Sequence, residues 1–186
     1  MRDRLLFIDT ETGGLDPDRH SLLSLAMVVW EDREIIDSQE ILINDGILSV
    51  TEEALSVNRI DIDQHKLTAI PPSLAIEEIL QFTGKHFHGE EKITLAGHNV
   101  HFDISFLRSF FSGNNRDFSL YFSHRIIDTS SILHYLFLAG HIKQKAISSD
   151  DAFDLLGIEV SGRHTAIGDA IATALLFTRL LLLTKK

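Results

Sequence analysis

Short apolar runs bounded by turn residues alternate along the chain with longer segments of helical spacing. Three runs near the start, at residues 4–10, 22–30 and 34–43, predict an antiparallel meander of three strands. Two further short strands are predicted at residues 94–96 and 125–128. Strands that come first and then alternate with helices favour an α/β domain with a mixed sheet and helices on its faces.

Helical spacing of apolar residues predicts six helices between and after these strands. One begins at Thr51, and the others cover residues 73–87, 100–111, 129–139, 151–156 and 164 or 165 to 184. Thr51 and Ser73 are expected to cap the helices that follow them, because hydroxyl side chains accept hydrogen bonds from the first free amides. Pro71 and Pro72 are expected to mark the boundary before the helix at residues 73–87. Gly157 is expected to end the helix at residues 151–156.

Composition and charge narrow the class of protein. The 186 residues fit a single domain over positions 1–186, and the absence of cysteine excludes disulfides, thiolate metal sites and a cysteine nucleophile. A net charge of −10 argues against a general nucleic-acid binder with a basic surface.

The last apolar stretch, residues 170–183, contains Arg179 and is shorter than the roughly 20 residues of a membrane span. With no signal-peptide pattern at the start, we expect a cytoplasmic protein that does not enter a membrane.

Two acids directly follow the first apolar strand. Asp9 and Glu11 are two residues apart, so on a strand both side chains point to the same face. Side-by-side carboxylates repel each other unless a cation lies between them. The alternative is that the strand has already ended and both acids are solvated turn residues.

Two more acids stand in apolar helical surroundings. Asp103 lies beside a stripe that includes Phe106 and Leu107, although it could instead face water. Asp169 lies in the last helix, five residues after His164. Five residues correspond to about 140° of net rotation, so His164 can share a site with Asp169 only from the loop before the helix.

Together these side chains suggest a chemistry that none of them indicates alone. Oxygen ligands without thiolates suit Mg²⁺ or Mn²⁺. Four carboxylates can hold two such ions about 3.5–4 Å apart, which stabilises the attacking and leaving oxygens of phosphoryl chemistry. Histidine titrates near neutral pH and can accept a proton from the attacking water. The hypothesis is a metal-dependent hydrolase of phosphodiesters.

Three motifs in order resemble those of one enzyme family. Residues 7–14 read FIDTETGG, residues 97–103 read GHNVHFD, and residues 164–170 read HTAIGDA. They resemble the three motifs of the DEDD (DnaQ-like) 3′–5′ exonuclease superfamily, in the subgroup with histidine in the third motif. That superfamily includes the proofreading epsilon subunit of DNA polymerase III and RNase T. The match runs from about Leu5 to about Leu180, nearly the whole chain.

The resemblance implies an RNase H-like fold with a five-stranded mixed sheet. It implies that Asp9, Glu11 and Asp169 bind one divalent cation, that Asp9 bridges to a second, and that Asp103 supports the second directly or through water. His164 would be the general base, and the two ions would be Mg²⁺ or Mn²⁺. The implied reaction releases nucleoside 5′-monophosphates from the 3′ end of single-stranded nucleic acid, with DNA favoured over RNA.

Substrate contacts follow from the same resemblance. The candidates are Thr10, Thr12, Gly13, Leu15, Asn58, His98 and Asn99. Leu15 resembles an apolar wedge on the last base, with ordinary turn packing as the alternative. His98 and Asn99 are also expected to orient the segment that carries Asp103. Arg59 departs from the family pattern, where glycine is common after the position of Asn58.

Other polar residues have simpler expected roles. Asp128 resembles a family element but is expected to cap the helix from Thr129. Lys143 and Lys145 could reach a phosphate backbone, with a solvated loop as the default. His86 and His88, two residues apart, are expected at a surface helix end rather than in a metal site.

An alternative hypothesis belongs to another functional class. It is a non-catalytic nucleic-acid-binding or polymerase-associated subunit on the same fold. An incomplete set of motif acids would favour this alternative. The sequence leaves a DNA polymerase or a homodimer open as partner. Two bound divalent ions would reduce the charge from −10 to about −6, so we expect few backbone contacts and a short footprint at the 3′ end.

Overall fold

Five strands form one mixed sheet in the computed structural model, which describes residues 4–89, 92–146, 148–160, 162 and 164–184. They are β1 (Arg4–Thr12), β2 (Leu22–Glu31), β3 (Glu34–Leu42), β4 (Ile93–Gly97) and β5 (Phe122–Asp128). The order across the sheet is β3-β2-β1-β4-β5. The first three strands are antiparallel, as predicted, while β4 runs parallel to β1 and β5 runs parallel to β4. The expected fold class is therefore confirmed.

Seven α-helices flank the sheet in the part of the chain that the structure describes. They are α1 (Glu52–Asn58), α2 (Ile62–Thr68), α3 (Pro72–His86), α4 (His101–Gly113), α5 (Thr129–Leu138), α6 (Ser149–Leu156) and α7 (Ala166–Leu183). Thr51 caps α1 by accepting from the amide of Ala54. Gly157 ends α6 in the left-handed conformation that glycine adopts without steric cost.

Three features of the helices differ from the sequence prediction. The prediction that Ser73 caps α3 is wrong, because the helix begins one residue earlier, at Pro72, and has no side-chain cap. Proline suits the first helical position, since its fixed φ is helical and the amide it lacks would be unpaired there. Helix α2 and a 3₁₀ turn at Phe118–Leu120 were not predicted, because both are too short for a clear apolar period.

Strand β1 separates two hydrophobic cores. Leu6 and Ile8 face α3 and α4, whereas Phe7 points to the opposite face, which α7 covers. Asp9 and Glu11 continue the alternation of Phe7, so they share the α7 face. The sequence of β1 thus places these two carboxylates beside the first turn of α7.

Helix α7 is long and apolar enough to cross a membrane by length and composition alone. Half of its 18-residue window is buried inside the fold, as in the core helix of a globular protein. Three of its alanines, at positions 166, 170 and 174, pack on Phe7, Val28 and Trp30 of the sheet. The helix predicted from residue 164 or 165 to 184 is therefore a core helix packed on the sheet.

Candidate active site

Three carboxylates meet at the carboxyl end of β1. Asp9 and Glu11 come from the strand, and Asp169 lies in the first turn of α7. Each offers an oxygen atom within 4.8 Å of the others, and all three residues are half-buried. Strand β1 continues to Thr12, so Asp9 and Glu11 are strand residues and not part of a solvated turn. This arrangement has the geometry of a site for a hard cation with oxygen ligands.

His164 precedes α7 and faces the same site. Thr165 caps the helix by accepting from the amide of Gly168, so His164 lies in the loop, with φ of 64°. His164 and Asp169 both line one cavity of about 750 Å³, called the cleft below. The loop position is the one from which a histidine five residues before Asp169 can reach the same site.

Asp103 lies behind Thr10 and outside the group of three carboxylates. Its Oδ1 accepts a 2.7 Å hydrogen bond from the Thr10 hydroxyl, and its side chain is buried. Thr10 points to the α4 face of the sheet, opposite to Asp9 and Glu11, and Asp103 is not among the residues that line the cleft. Burial raises the pKa of Asp103 to about 7. The hydrogen bond from Thr10 lowers this pKa, whereas the nearby negative charge of Asp128 raises it further.

Apolar side chains form part of the mouth of the cleft. Leu15 is 84% exposed and Val57, on α1, is 64% exposed, although both line the cleft. Phe102, at the start of α4, is half-buried in the same lining. Leu15 is therefore not packed in its turn, and these three side chains offer apolar surface to a flat ligand.

The turn after β1 is held close to the segment before α1. Gly13 donates from its amide to the carbonyl of Ser21 at 2.8 Å, and its own carbonyl accepts from the amide of Thr51 at 2.7 Å. A Cβ at Gly13 would collide with the carbonyl oxygen of Ser49. Gly13 is buried, whereas Thr10 and Thr12 line the cleft. The close contact between the backbone at Gly13 and the carbonyl of Ser49 leaves no room for a side chain, so residue 13 must be glycine.

Asn58 lines the cleft, but its amide group is engaged within the protein. It donates to the carbonyl of Thr12 at 3.2 Å, and its oxygen accepts from the amide of Ile60. Asn58 therefore joins α1 to the end of β1. The next residue, Arg59, takes the left-handed conformation with φ of 57°, which glycine would adopt without steric cost.

His98 and Asn99 connect β4 to the neighbouring strand β5. His98 Nδ1 lies 3.0 Å from the hydroxyl of Thr129, which donates to the carbonyl of Gly97. The hydroxyl therefore accepts from His98. Asp128 accepts from the amide of Asn99 at 2.9 Å and caps α5 through the amide of Ser130. Neither His98 nor Asn99 lines the cleft, so their contacts orient the turn that leads into Asp103.

Several cleft residues were not predicted as site residues from the sequence. They are His20, Thr51, Glu53, Ala54, Val57, Phe102, Ser149 and Asp150. They come from the turn after β1, from α1 and its cap, from α4 and from α6, and only the tertiary fold brings these elements together.

The remaining polar candidates lie away from the cleft. Lys143 and Lys145 are exposed and do not line it. His86 is the last residue of α3 and lies 2.8 Å from a carboxylate oxygen of Asp37. The hydrogen bond from Lys85 is the main reason that the pKa of Asp37 falls to about 2. Among the described residues, neither His86 nor His88 belongs to a group that could hold a metal.

Comparison with known proteins gives a consistent family assignment. The family model RNase_T, described as exonuclease, matches residues 6–177. Ribonuclease T of Wigglesworthia glossinidia brevipalpis is 30% identical over 96% of this chain and 85% of its own length. A PolC-type DNA polymerase III of Thermotoga petrophila is 28% identical over 96% of this chain.

The fold also matches that of a larger nuclease. E. coli exonuclease I, solved in complex with a dA16 oligonucleotide, superposes with a TM-score of 0.82 at 18% identity. The match covers 98% of this chain. This chain spans only 41% of exonuclease I and 12% of the PolC-type polymerase.

Proposed function

The chain belongs to the RNase_T exonuclease family, and we propose that it is a metal-dependent 3′–5′ exonuclease acting on single-stranded nucleic acid. The observation that carries this proposal is the meeting of Asp9, Glu11 and Asp169 within 4.8 Å in a cleft that His164 also lines. The proposed reaction hydrolyses the last phosphodiester bond and releases a nucleoside 5′-monophosphate.

The donor set of the site fits a divalent metal ion. Three half-buried carboxylates at this separation repel one another strongly unless a cation lies between them. All their donor atoms are oxygens, which suits Mg²⁺ or Mn²⁺. We propose that Asp9, Glu11 and Asp169 hold one ion and that Asp103 supports a second from its position behind Thr10. Bound ions of this kind lower the pKa of water and stabilise negative charge on phosphate oxygens.

The protein's own side chains divide the remaining tasks. We propose that His164 accepts the proton of the attacking water from its place in the loop before α7. Leu15, Val57 and Phe102 would pack on the terminal base and sugar. The backbone at Thr10 and Thr12, which line the cleft, would lie along the last nucleotide, while Asn58 holds α1 against the end of β1 and Gly13 keeps the turn close to the segment before α1.

Single-stranded DNA is the substrate we favour over RNA. The support is that exonuclease I, which has the same fold, was solved with a DNA oligonucleotide. The relatives include both a ribonuclease and a DNA polymerase, so the 2′-hydroxyl is the feature to vary. A DNA polymerase and a second copy of the chain are the two partners we propose. Gel filtration of the chain alone tests for the homodimer, and gel filtration of its mixture with a DNA polymerase III tests for the polymerase complex.

A time course on matched substrates tests the proposed activity. Single-stranded DNA, single-stranded RNA, duplex DNA and a dinucleotide are incubated with Mn²⁺ or with EDTA. A label at the 3′ end should be released first, as a nucleoside 5′-monophosphate, and EDTA should abolish the release. Release of a 5′ label first, or binding of all substrates without hydrolysis, would contradict the proposal; the second result would favour the non-catalytic subunit.

A further inference from the structure

A positively charged surface lies beside the cleft, on the exposed face of α4 and the neighbouring β5. We call it the α4 strip; it consists of Lys92, His101, Arg108, Arg116 and His124. The depressions that form the strip are lined by three lysines and arginines, Lys92, Arg108 and Arg116, against two aspartates, Asp18 and Asp117, in a chain whose net charge is −10.

The strip is continuous along one side of the helix. His101, Ser105, Arg108 and Ser112 follow one another at spacings of four and three residues, so they share one face of α4. Three shallow depressions meet at Arg108: one extends to His101, one to Lys92 and one to Arg116. His124 lines the first two. Two acids share this lining: Asp18 lines the first depression and Asp117 lines the other two.

The arginines of this region are available to bind an anion. In the part of the chain that the structure describes, Arg108, Arg116 and Arg125 make no ion pair with a carboxylate. The guanidinium of Arg108 stacks over the ring of Phe118 at 5.2 Å. Stacking of this kind holds the guanidinium in place while its N–H donors, which lie in its plane, stay able to bind phosphate oxygens.

The strip begins where the cleft ends. Phe102 lines the cleft, and the adjacent His101 lines the first depression of the strip. Arg108 follows Phe102 by six residues, which is about 9 Å along the helix axis. The described lining of the cleft contains five acids and neither lysine nor arginine. A phosphate chain that leaves the cleft along α4 therefore meets its first cationic side chains on the strip.

We propose that the α4 strip binds phosphates of a single strand on the 5′ side of the nucleotide held in the cleft. This inference rests on the proposed function, because it assumes that the 3′ end occupies the cleft. It implies that affinity depends on substrate length: an oligonucleotide long enough to reach Arg108 and Arg116 gains contacts that a trinucleotide lacks.

Binding measured without turnover tests the strip. Fluorescence anisotropy with a labelled dT20 and a labelled dT3, in EDTA and low salt, compares the Arg108→Gln/Arg116→Gln variant with wild type. Arg33→Gln is the matched control, because Arg33 is exposed in the β2–β3 turn, beside the end of β1 remote from the cleft. Far-UV circular dichroism verifies that each variant is folded.

The double variant should bind dT20 at least about fivefold more weakly and leave dT3 binding unchanged. The slope of log Kd against log salt should fall by about 0.7 for each lost phosphate contact. Affinity for dT20 equal to that of Arg33→Gln, or wild-type protein that does not bind dT20, would overturn the proposal. Because the assay contains EDTA, a protein that binds as expected but never hydrolyses DNA would reject the proposed function and keep the strip.

Discussion

The hydroxyl of Thr10 donates a 2.7 Å hydrogen bond to Oδ1 of Asp103, and both side chains are buried. This contact joins the central strand β1 to the first turn of α4. Asp9 and Glu11 flank Thr10 in sequence and point to the other face of the sheet. One strand therefore presents two carboxylates to the cleft and, between them, a hydroxyl that fixes a third carboxylate from behind.

Replacing Thr10 with valine should destabilise the protein by about 1–2 kcal/mol, because valine keeps the shape but removes the donor to a buried carboxyl group. Thr10→Ser, which keeps the hydroxyl, should lose much less. Urea unfolding at pH 8 in EDTA measures both changes. Equal stability of the valine and serine variants would show that the hydrogen bond contributes nothing.

Asp103 should make the stability of the metal-free protein depend on pH. Its folded pKa of about 7 lies above the ordinary value of 3.8, so between these two values the folded protein binds the extra proton. The contribution of Asp103 to the free energy of unfolding is therefore fully present below about pH 4, decreases as the pH rises to about 7, and remains lost above that pH. Asp103→Asn should consequently be about 1–3 kcal/mol more stable than wild type at pH 8 and similar at pH 4.

Chemical unfolding of the two proteins in EDTA across this range gives the comparison. Asp154→Asn serves as control, because Asp154 is an exposed acid on α6 outside the cleft. A stability difference between Asp103→Asn and wild type that does not change with pH would contradict the raised pKa of Asp103.

His164→Asn should lower kcat by about 10²–10⁴-fold without changing the fold. Asparagine is chosen because it tolerates the positive φ of 64° better than most residues. If His164 is the general base, the decline of the wild-type rate at low pH should disappear in the variant. The pH–rate profile checks this, with His88→Asn, an exposed histidine outside the cleft, as control. An unchanged profile would remove His164 from this role.

The two neighbouring glycines after β1 should differ in their tolerance of alanine. A Cβ at Gly13 meets the backbone carbonyl of Ser49, so Gly13→Ala should cost about 1–3 kcal/mol that no side-chain change restores. The three atoms nearest to a Cβ at Gly14 all belong to the ring of His20, the closest at 2.6 Å. The loss in Gly14→Ala should therefore be recovered in Gly14→Ala/His20→Ala. Urea unfolding of the three variants distinguishes the cases, and a full loss in the double variant would refute the distinction.

The sequence was most informative where local pattern determines structure. Alternation along β1 places Asp9 and Glu11 on one face, and the five-residue spacing requires His164 to lie in the loop before α7, where it is found. Asp128 caps α5 as predicted, because an acid before a helix has free amides within reach of its own side chain.

Tertiary contacts explain what the sequence did not reveal. The position of Asp103 depends on where α4 meets Thr10, and the internal hydrogen bonds of Asn58 depend on how α1 docks against β1. His20, Glu53 and Asp150 reach the cleft from three different segments, with no spacing that links them to Asp9. The cap at Ser73 failed because a proline at the first helical position moved the start of α3.

The central claim is that Asp9, Glu11 and Asp169 together hold a catalytic cation at the 3′ end of a single strand. The most direct measurement is the rate at which Asp169→Asn releases a 3′-labelled nucleotide from single-stranded DNA in Mn²⁺, beside Asp154→Asn at equal concentration. We predict a loss of several orders of magnitude in Asp169→Asn and a rate within about twofold of wild type in Asp154→Asn. Equal rates in the two variants would contradict the account.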